Sequence, residues 1–408
     1  MNTQDLKEFE NNFFKFESEE KKKYQSMTDS EINEKYLKGE VRIVTEQARY
    51  PLNTIQEVFS GENYILNPEF QRRHRWNVEK QSKLIESFIM NVPIPPIFLY
   101  ETEYSVYEVM DGLQRISAIK DFYEDKYALQ GLEIWPELNG RTYSKLPEQI
   151  KKGIDRRYIS SIVLLKETTK TKDEANTIKQ MVFSRINSGG AKLEDQEYRN
   201  SQCSGDFKNM IIDLARNSYF CEIFDIPQKT DNENLAEDKI SDDLRDDPKF
   251  KTMKDVEIVL RFFALRNIDK WKDTTFTRFL DQFAYKADSL KDDDVLTAYK
   301  NIFEETIKFA YELLEDKAFC MWKKNKDGEY KWGKKATMVI YDALMYVLSN
   351  YLNKKEIFIS RKDDVMKGFE KLFEENESEF NGRNTTPKDI QKRINIFDTF
   401  LQKFSIHP

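Results

Sequence analysis

Histidine is almost missing from this chain, with only His74 and the penultimate His407 in 408 residues. A centre built from several histidines is therefore excluded, and a Ser-His-Asp triad finds little support. Three cysteines, Cys203, Cys221 and Cys320, are too few and too scattered for a disulfide frame or a metal cage. No Gly-x-x-x-x-Gly-Lys-Ser/Thr loop occurs, which excludes a P-loop enzyme. No run approaches the ~20 apolar residues that cross a bilayer. The best stretch, Met338 to Leu352, is interrupted by Asp342 and Asn350 and reads as a buried core helix. The first ten residues lack a basic segment followed by an apolar one, so no signal peptide is expected. Together these absences point to the cytoplasm and to no membrane.

Excess positive charge is also lacking. The net charge of −7 argues against coating nucleic acid non-specifically, so any contact with DNA must rest on a local patch. Two stretches offer one: Arg72 to Lys83 and Lys151 to Arg157.

What is present is a globular composition, 39% hydrophobic and 34% charged, with many Phe and Tyr residues that suit thick helical cores. The length predicts two or three domains. Residues 1–45 read as a polar, peripheral N-terminal helical extension. Residues 46–200 are mixed, with a helix over 78–90 that ends before Pro93, Pro95 and Pro96. Strands follow at 97–100, 104–110 and 160–166, and another helix at 174–186. Residues 201–408 become almost wholly helical, with helices at 255–268, 292–315, 336–353, 361–376 and 387–404. Ser360 with Asp363, and Thr386 with Pro387 and Asp389, read as helix starts. Residues 225–255, rich in Asp, Asn and Lys, read as an exposed excursion. The expected fold class is α+β, a small mixed-sheet domain followed by a mainly helical domain.

The most informative stretch is Tyr107 to Phe122. An apolar run up to Asp111 predicts a strand, Ile116 to Phe122 predicts a helix, and a tight turn carries Asp111, Gly112, Gln114 and Arg115. The unpaired N–H groups at such a helix start, with the helix dipole, favour an anion such as phosphate. Gly112 permits close approach of a ligand to the backbone, and Arg115 offers a fork to phosphate oxygens. Asp111 suits Mg²⁺ or activation of a water.

Two further segments bear on the same chemistry. Asn67 to Trp76 places Gln71, Arg72, Arg73, His74 and Arg75 beside an aromatic ring, a set that suits phosphate contacts and stacking. Phe183 to Leu193 carries Arg185 and Asn187 ahead of Gly189 and Gly190, a turn that can cap a helix or present N–H groups to an anion. Glu197, Arg199 and Asn200 open the next helix and are placed to support that loop.

In this order and spacing the segments resemble the N-terminal domain family of GmrSD-type restriction endonucleases. The matching residues are Pro68-x-Phe-Gln-Arg72 with Trp76, Leu84-Ile-Glu-Ser87 leading into Pro93-x-Pro95, Asp111-Gly-x-Gln-Arg115 and Phe183-x-Arg-Ile-Asn187-x-Gly-Gly190. The resemblance covers roughly residues 50–270, including Asp255 to Phe263. It implies a ParB-like domain that binds and hydrolyses an NTP with Mg²⁺ in bacterial defence against foreign, often modified, DNA. Carried over position by position, Asp111, Gln114, Arg115 and Arg72 would be catalytic, with Asp111 on the metal. Gln71, Trp76, Gly112, Arg185, Asn187, Gly189 and Gly190 would bind nucleotide. Leu113 stands where relatives commonly have glutamine, harmless if the position is buried. Many relatives end in a histidine-dependent nuclease module, which two histidines cannot supply. Cleavage would then fall to the ParB-like domain or to a partner protein of the defence system. Direct nicking of DNA by the same residues, or sensing of nucleotide or DNA without turnover, are the alternatives.

Overall fold

The computed structural model describes residues 3–15, 28–38, 43–66, 76–168, 205–235, 240–272, 274–380 and 385–405, and the single positions 178, 181, 182, 185, 196, 199 and 203. The chain divides into two compact units, residues 22–193 and residues 1–21 with 194–408.

In the 22–193 unit the sheet is built from β1 (Thr45–Pro51), β2 (Tyr64–Ile65), β3 (Ile97–Glu103), β4 (Val106–Asp111) and β5 (Tyr158–Leu164), in the order β1-β5-β3-β4-β2. β1 runs antiparallel to β5, β3 is parallel to β5, and β2 is parallel to β4. β3 and β4 form an antiparallel hairpin in which Phe98 stands opposite Asp111. Two helices pack on this sheet, Val78–Met90 and Leu113–Tyr123, and Ile85, Phe88, Ile116, Ile119 and Phe122 from them meet Ile97, Leu99, Val109 and Val163 in one core. Asn77 caps the first of these helices by accepting from the Lys80 N–H, and Asn91 ends it in the left-handed conformation. The helices expected at 78–90 and after Asp111 and the strands expected at 97–100, 104–110 and 160–166 are therefore present, while the helix expected over 174–186 falls mostly outside the described residues. β1 is an addition, since Thr-Glu-Gln-Ala-Arg-Tyr-Pro shows no apolar alternation and is largely exposed.

The second unit is mainly helical. Helix α1 (Thr3–Phe13) is not peripheral, because Leu6 and the adjoining Phe14 are buried in the helical core and Glu10 is nearly inaccessible. Glu10 takes both Nε and Nη2 of the buried Arg266, at 2.8 and 2.9 Å. The helix Lys254–Leu265 is buried along its whole circumference, as expected of a central helix. It sits among Phe276–Ala287, the long Asp293–Leu314 and Met338–Ser349. The helices expected near 255–268, 292–315, 336–353, 361–376 and 387–404 are all observed.

Three expectations in this half need correction. The excursion over 225–255 is anchored: Leu244, Phe250 and Met253 are buried, and Glu233 is locked to the buried Arg216 at 2.8 Å. A polar composition hid those single anchors. Ser360 closes a short helix, Lys355–Ser360, with its hydroxyl donating to the Ile357 carbonyl, and the next helix (Lys362–Glu375) begins on Arg361 without a side-chain cap. Thr386 and Asp389 do form the expected capping box. A two-stranded hairpin, β6 (Trp322–Lys324) and β7 (Tyr330–Trp332), interrupts the helices. Among the described residues no helix is long and apolar enough to cross a membrane.

Candidate phosphate-binding corner

The site is the junction where β4 ends at Asp111 and the helix Leu113–Tyr123 begins. Gly112 lies between them with φ 96° and ψ 7°, in the left-handed region that favours glycine. A Cβ at this position would stand 2.3 Å from Ile97 Cγ2 and 2.8 Å from Ile97 Cβ, so steric crowding also excludes a side chain. No side chain caps the helix that follows. Its first turn thus keeps the N–H character that draws anions. Leu113 is buried in the sheet core, so the leucine found there is a packing residue.

Arg115 lies one turn into the helix, and its Nη2 donates to Asp111 Oδ2 at 2.7 Å and to the Pro96 carbonyl at 3.3 Å. The arginine side chain is 14% exposed and the aspartate 35%. Arg115 therefore has its guanidinium pinned with one edge against Asp111 while the Asp111 carboxylate remains open to a ligand. Arg115 Nε is buried and has no hydrogen-bond partner among the described residues. Gln114 Nε2 shares that condition, while its Oε1 accepts from the Trp76 backbone N–H at 3.1 Å. Two buried donors without acceptors among the described residues, carried by consecutive residues in the first turn of one helix, leave hydrogen-bonding capacity that an oxygen-rich ligand can satisfy.

Of the sequence-derived candidates, the structure brings Asp111, Gly112, Gln114, Arg115 and the backbone of Trp76 together. The Trp76 ring carries Lys80 Nζ over its face at 4.8 Å. Arg185 is at an exposed helical position. Gln71, Arg72, Asn187, Gly189 and Gly190 lie outside the described residues. Arg199 is buried in the helical unit, donating to Asp281 at 2.6 Å and to Glu257 at 3.3 Å, while Glu197 and Asn200 lie outside the described residues. The basic stretch Lys151 to Arg157 is largely engaged. Lys151 lies over Tyr143, Lys152 pairs with Glu148, and Arg157 donates to the Phe88 carbonyl.

Sequence reasoning missed Pro96 and Ile97, which fix Arg115 and enforce glycine at 112. Their signal was the Pro95-Pro96 pair feeding the central strand. It also missed Lys80, three residues past Asn77. For a metal, no group of three or more His, Cys, Asp or Glu side chains converges among the described residues. One partly open carboxylate fits Mg²⁺, which binds through one or two carboxylates and substrate phosphates, better than it fits a protein-caged ion.

Residues 55–204 match the family model of the GmrSD restriction endonuclease N-terminal domain, a span under half of the chain that contains the whole corner. The family resemblance is thus shown, over a span that ends at 204 and not near 270, and it associates this segment with restriction endonucleases of phage defence. No curated protein and no solved structure matches the chain.

Proposed function

We propose that this chain is a bacterial anti-phage defence hydrolase of the cytoplasm. Its GmrSD-like domain, on a ParB-like plan, binds and hydrolyses an NTP, and hydrolysis is coupled to recognition of foreign, often modified, DNA. The observation that carries this reading is the pair of orphaned donors, Arg115 Nε and Gln114 Nε2, at a helix start whose entry admits only glycine. The first-turn N–H groups and Arg115 hold phosphate oxygens, and Gln114 reads an adjacent oxygen through its amide. Asp111 orients the attacking water. Asp111 with the nucleotide's own phosphates would hold Mg²⁺, which would supply neutralisation of the phosphate charge. Phosphoryl transfer asks mainly for positioning and charge compensation, and this set of residues offers both. Arg72, Gln71, Trp76, Arg185, Asn187, Gly189 and Gly190 complete the nucleotide pocket in this reading.

The match to a restriction endonuclease domain favours a second reading, direct cleavage of a DNA phosphodiester by the same residues, with or without a partner protein. Asp111→Asn separates catalysis from sensing. It is expected to abolish turnover, by at least about 100-fold, while nucleotide affinity stays within a few-fold. An unchanged rate would remove Asp111 from the mechanism. Plasmid nicking that needs Asp111 but no NTP would select the second reading.

A further inference from the structure

The hairpin of β6 and β7 concentrates positive charge in a chain whose net charge is negative. Residues 321–336 carry six lysines against Asp327 and Glu329, within a chain of net charge −7. The register pairs Trp322 with Trp332 and Lys323 with Lys331. The two tryptophans are turned towards the helix Lys362–Glu375, where Trp322 Nε1 donates to Glu374, Trp332 Nε1 donates to Glu370, and the Trp332 ring meets Phe373 edge-on at 5.9 Å. Since successive residues of a strand face opposite ways, Lys323 and Lys331 lie on the other face, and both are exposed.

Two like charges directly opposite each other weaken a short hairpin, and here the strands are three residues each. Among the described residues Lys331 is paired only with the exposed Glu329, at 3.3 Å. Lys323, Lys326, Lys334 and Lys335 are all exposed and have no partner among the described residues. Elsewhere many surface lysines are paired, as in Lys83–Glu133, Lys166–Glu103 and Lys355–Glu305. The turn is held rigid, with Asn325 Oδ1 accepting from the Asp327 and Glu329 N–H groups and Gly328 at φ 84°.

We infer that this lysine hairpin is a contact surface for the phosphate backbone of duplex DNA, outside the segment that the family match covers. The inference rests on the reading of the chain as acting on DNA. A membrane fits less well, because the tip carries Asn325, Asp327 and Glu329 and no exposed apolar side chain to enter lipid. Single strands fit less well too, because the tryptophan rings that would stack on bases are committed to the protein. Clustered ammonium groups without base-reading side chains read backbone charge, not sequence.

The test is binding of a fluorescein-labelled duplex of random sequence by the full chain over a range of salt concentrations. It compares wild type with the quadruple variant Lys323→Ala, Lys326→Ala, Lys334→Ala, Lys335→Ala. Loss of four phosphate contacts should flatten the log–log salt slope by about three to four and weaken low-salt binding by more than tenfold. Arginine at the same four positions should preserve both. An alanine variant that binds with wild-type affinity and slope overturns the inference, as does a wild-type chain that binds phosphatidylserine vesicles and not the duplex. Asp111→Asn is run in parallel. Lost catalysis with intact duplex binding leaves the hairpin assignment standing, and lost hairpin binding with intact NTP turnover leaves the corner standing.

Discussion

At Gly112 the absence of a side chain decides the geometry of the site. The left-handed φ and the 2.3 Å approach of a would-be Cβ to Ile97 Cγ2 act together, so Gly112→Ala is expected to destabilise its unit by about 1–3 kcal/mol. For a unit of this size that lowers the melting temperature by roughly 2–4 °C per kcal/mol. Calorimetry showing an unchanged melt would mean the turn adapts, and the crowding at Ile97 would lose its force. The corner residues were legible in sequence because they sit within five positions of one another. The acceptor on Pro96 was not, since it comes from the segment leading into β3 and only the fold brings it to Arg115.

Elements of this chain were legible where periodicity was long. The helix over 78–90 and the helices of the second half declare themselves through repeated apolar positions, and Thr386 announces its helix through a capping box. β1, the hairpin at 322–332 and the short helices near Leu244 and Phe250 did not, because each rests on a few anchors in a polar setting. Buried charge was the least legible feature. On the central helix Lys254–Leu265, Glu257 meets Arg199 at 3.3 Å and Arg261 at 3.6 Å and also contacts Lys254, while Arg261 pairs with the buried Asp342. Burial alone would raise the Glu257 pKa, but Lys254, Arg199 and Arg261 together outweigh it and hold the carboxyl below its ordinary value of 4.5. Its folded-state pKa being depressed, Glu257 contributes stability above about pH 4.5 that is lost as pH falls through the lower, folded value. Glu257→Gln should therefore cost roughly 1–3 kcal/mol at neutral pH. The variant and wild-type stabilities should converge on acidification, as read by urea unfolding at a series of pH values. A cost that stays constant down to pH 3 would show that the network does not depend on the charge.

On the scale of the whole molecule, an acidic chain must reach a polyanion through restricted patches, and the two units supply different ones. The 22–193 unit offers a corner with buried, unsatisfied donors, and the helical unit offers an exposed lysine hairpin. In the proposed reading, catalysis falls to the first and backbone contact to the second. This division follows from burial: a desolvated donor is worth more to a transition state than an exposed one, and exposed ammonium groups act mainly through counterion release.

The most direct measurement is phosphate release from each of the four NTPs with Mg²⁺, with and without DNA, beside Arg115→Ala. The account predicts turnover of at least one NTP, stimulated by DNA and reduced by at least about 100-fold in the variant. No phosphate release from any NTP, or release that Arg115→Ala leaves intact, would contradict it.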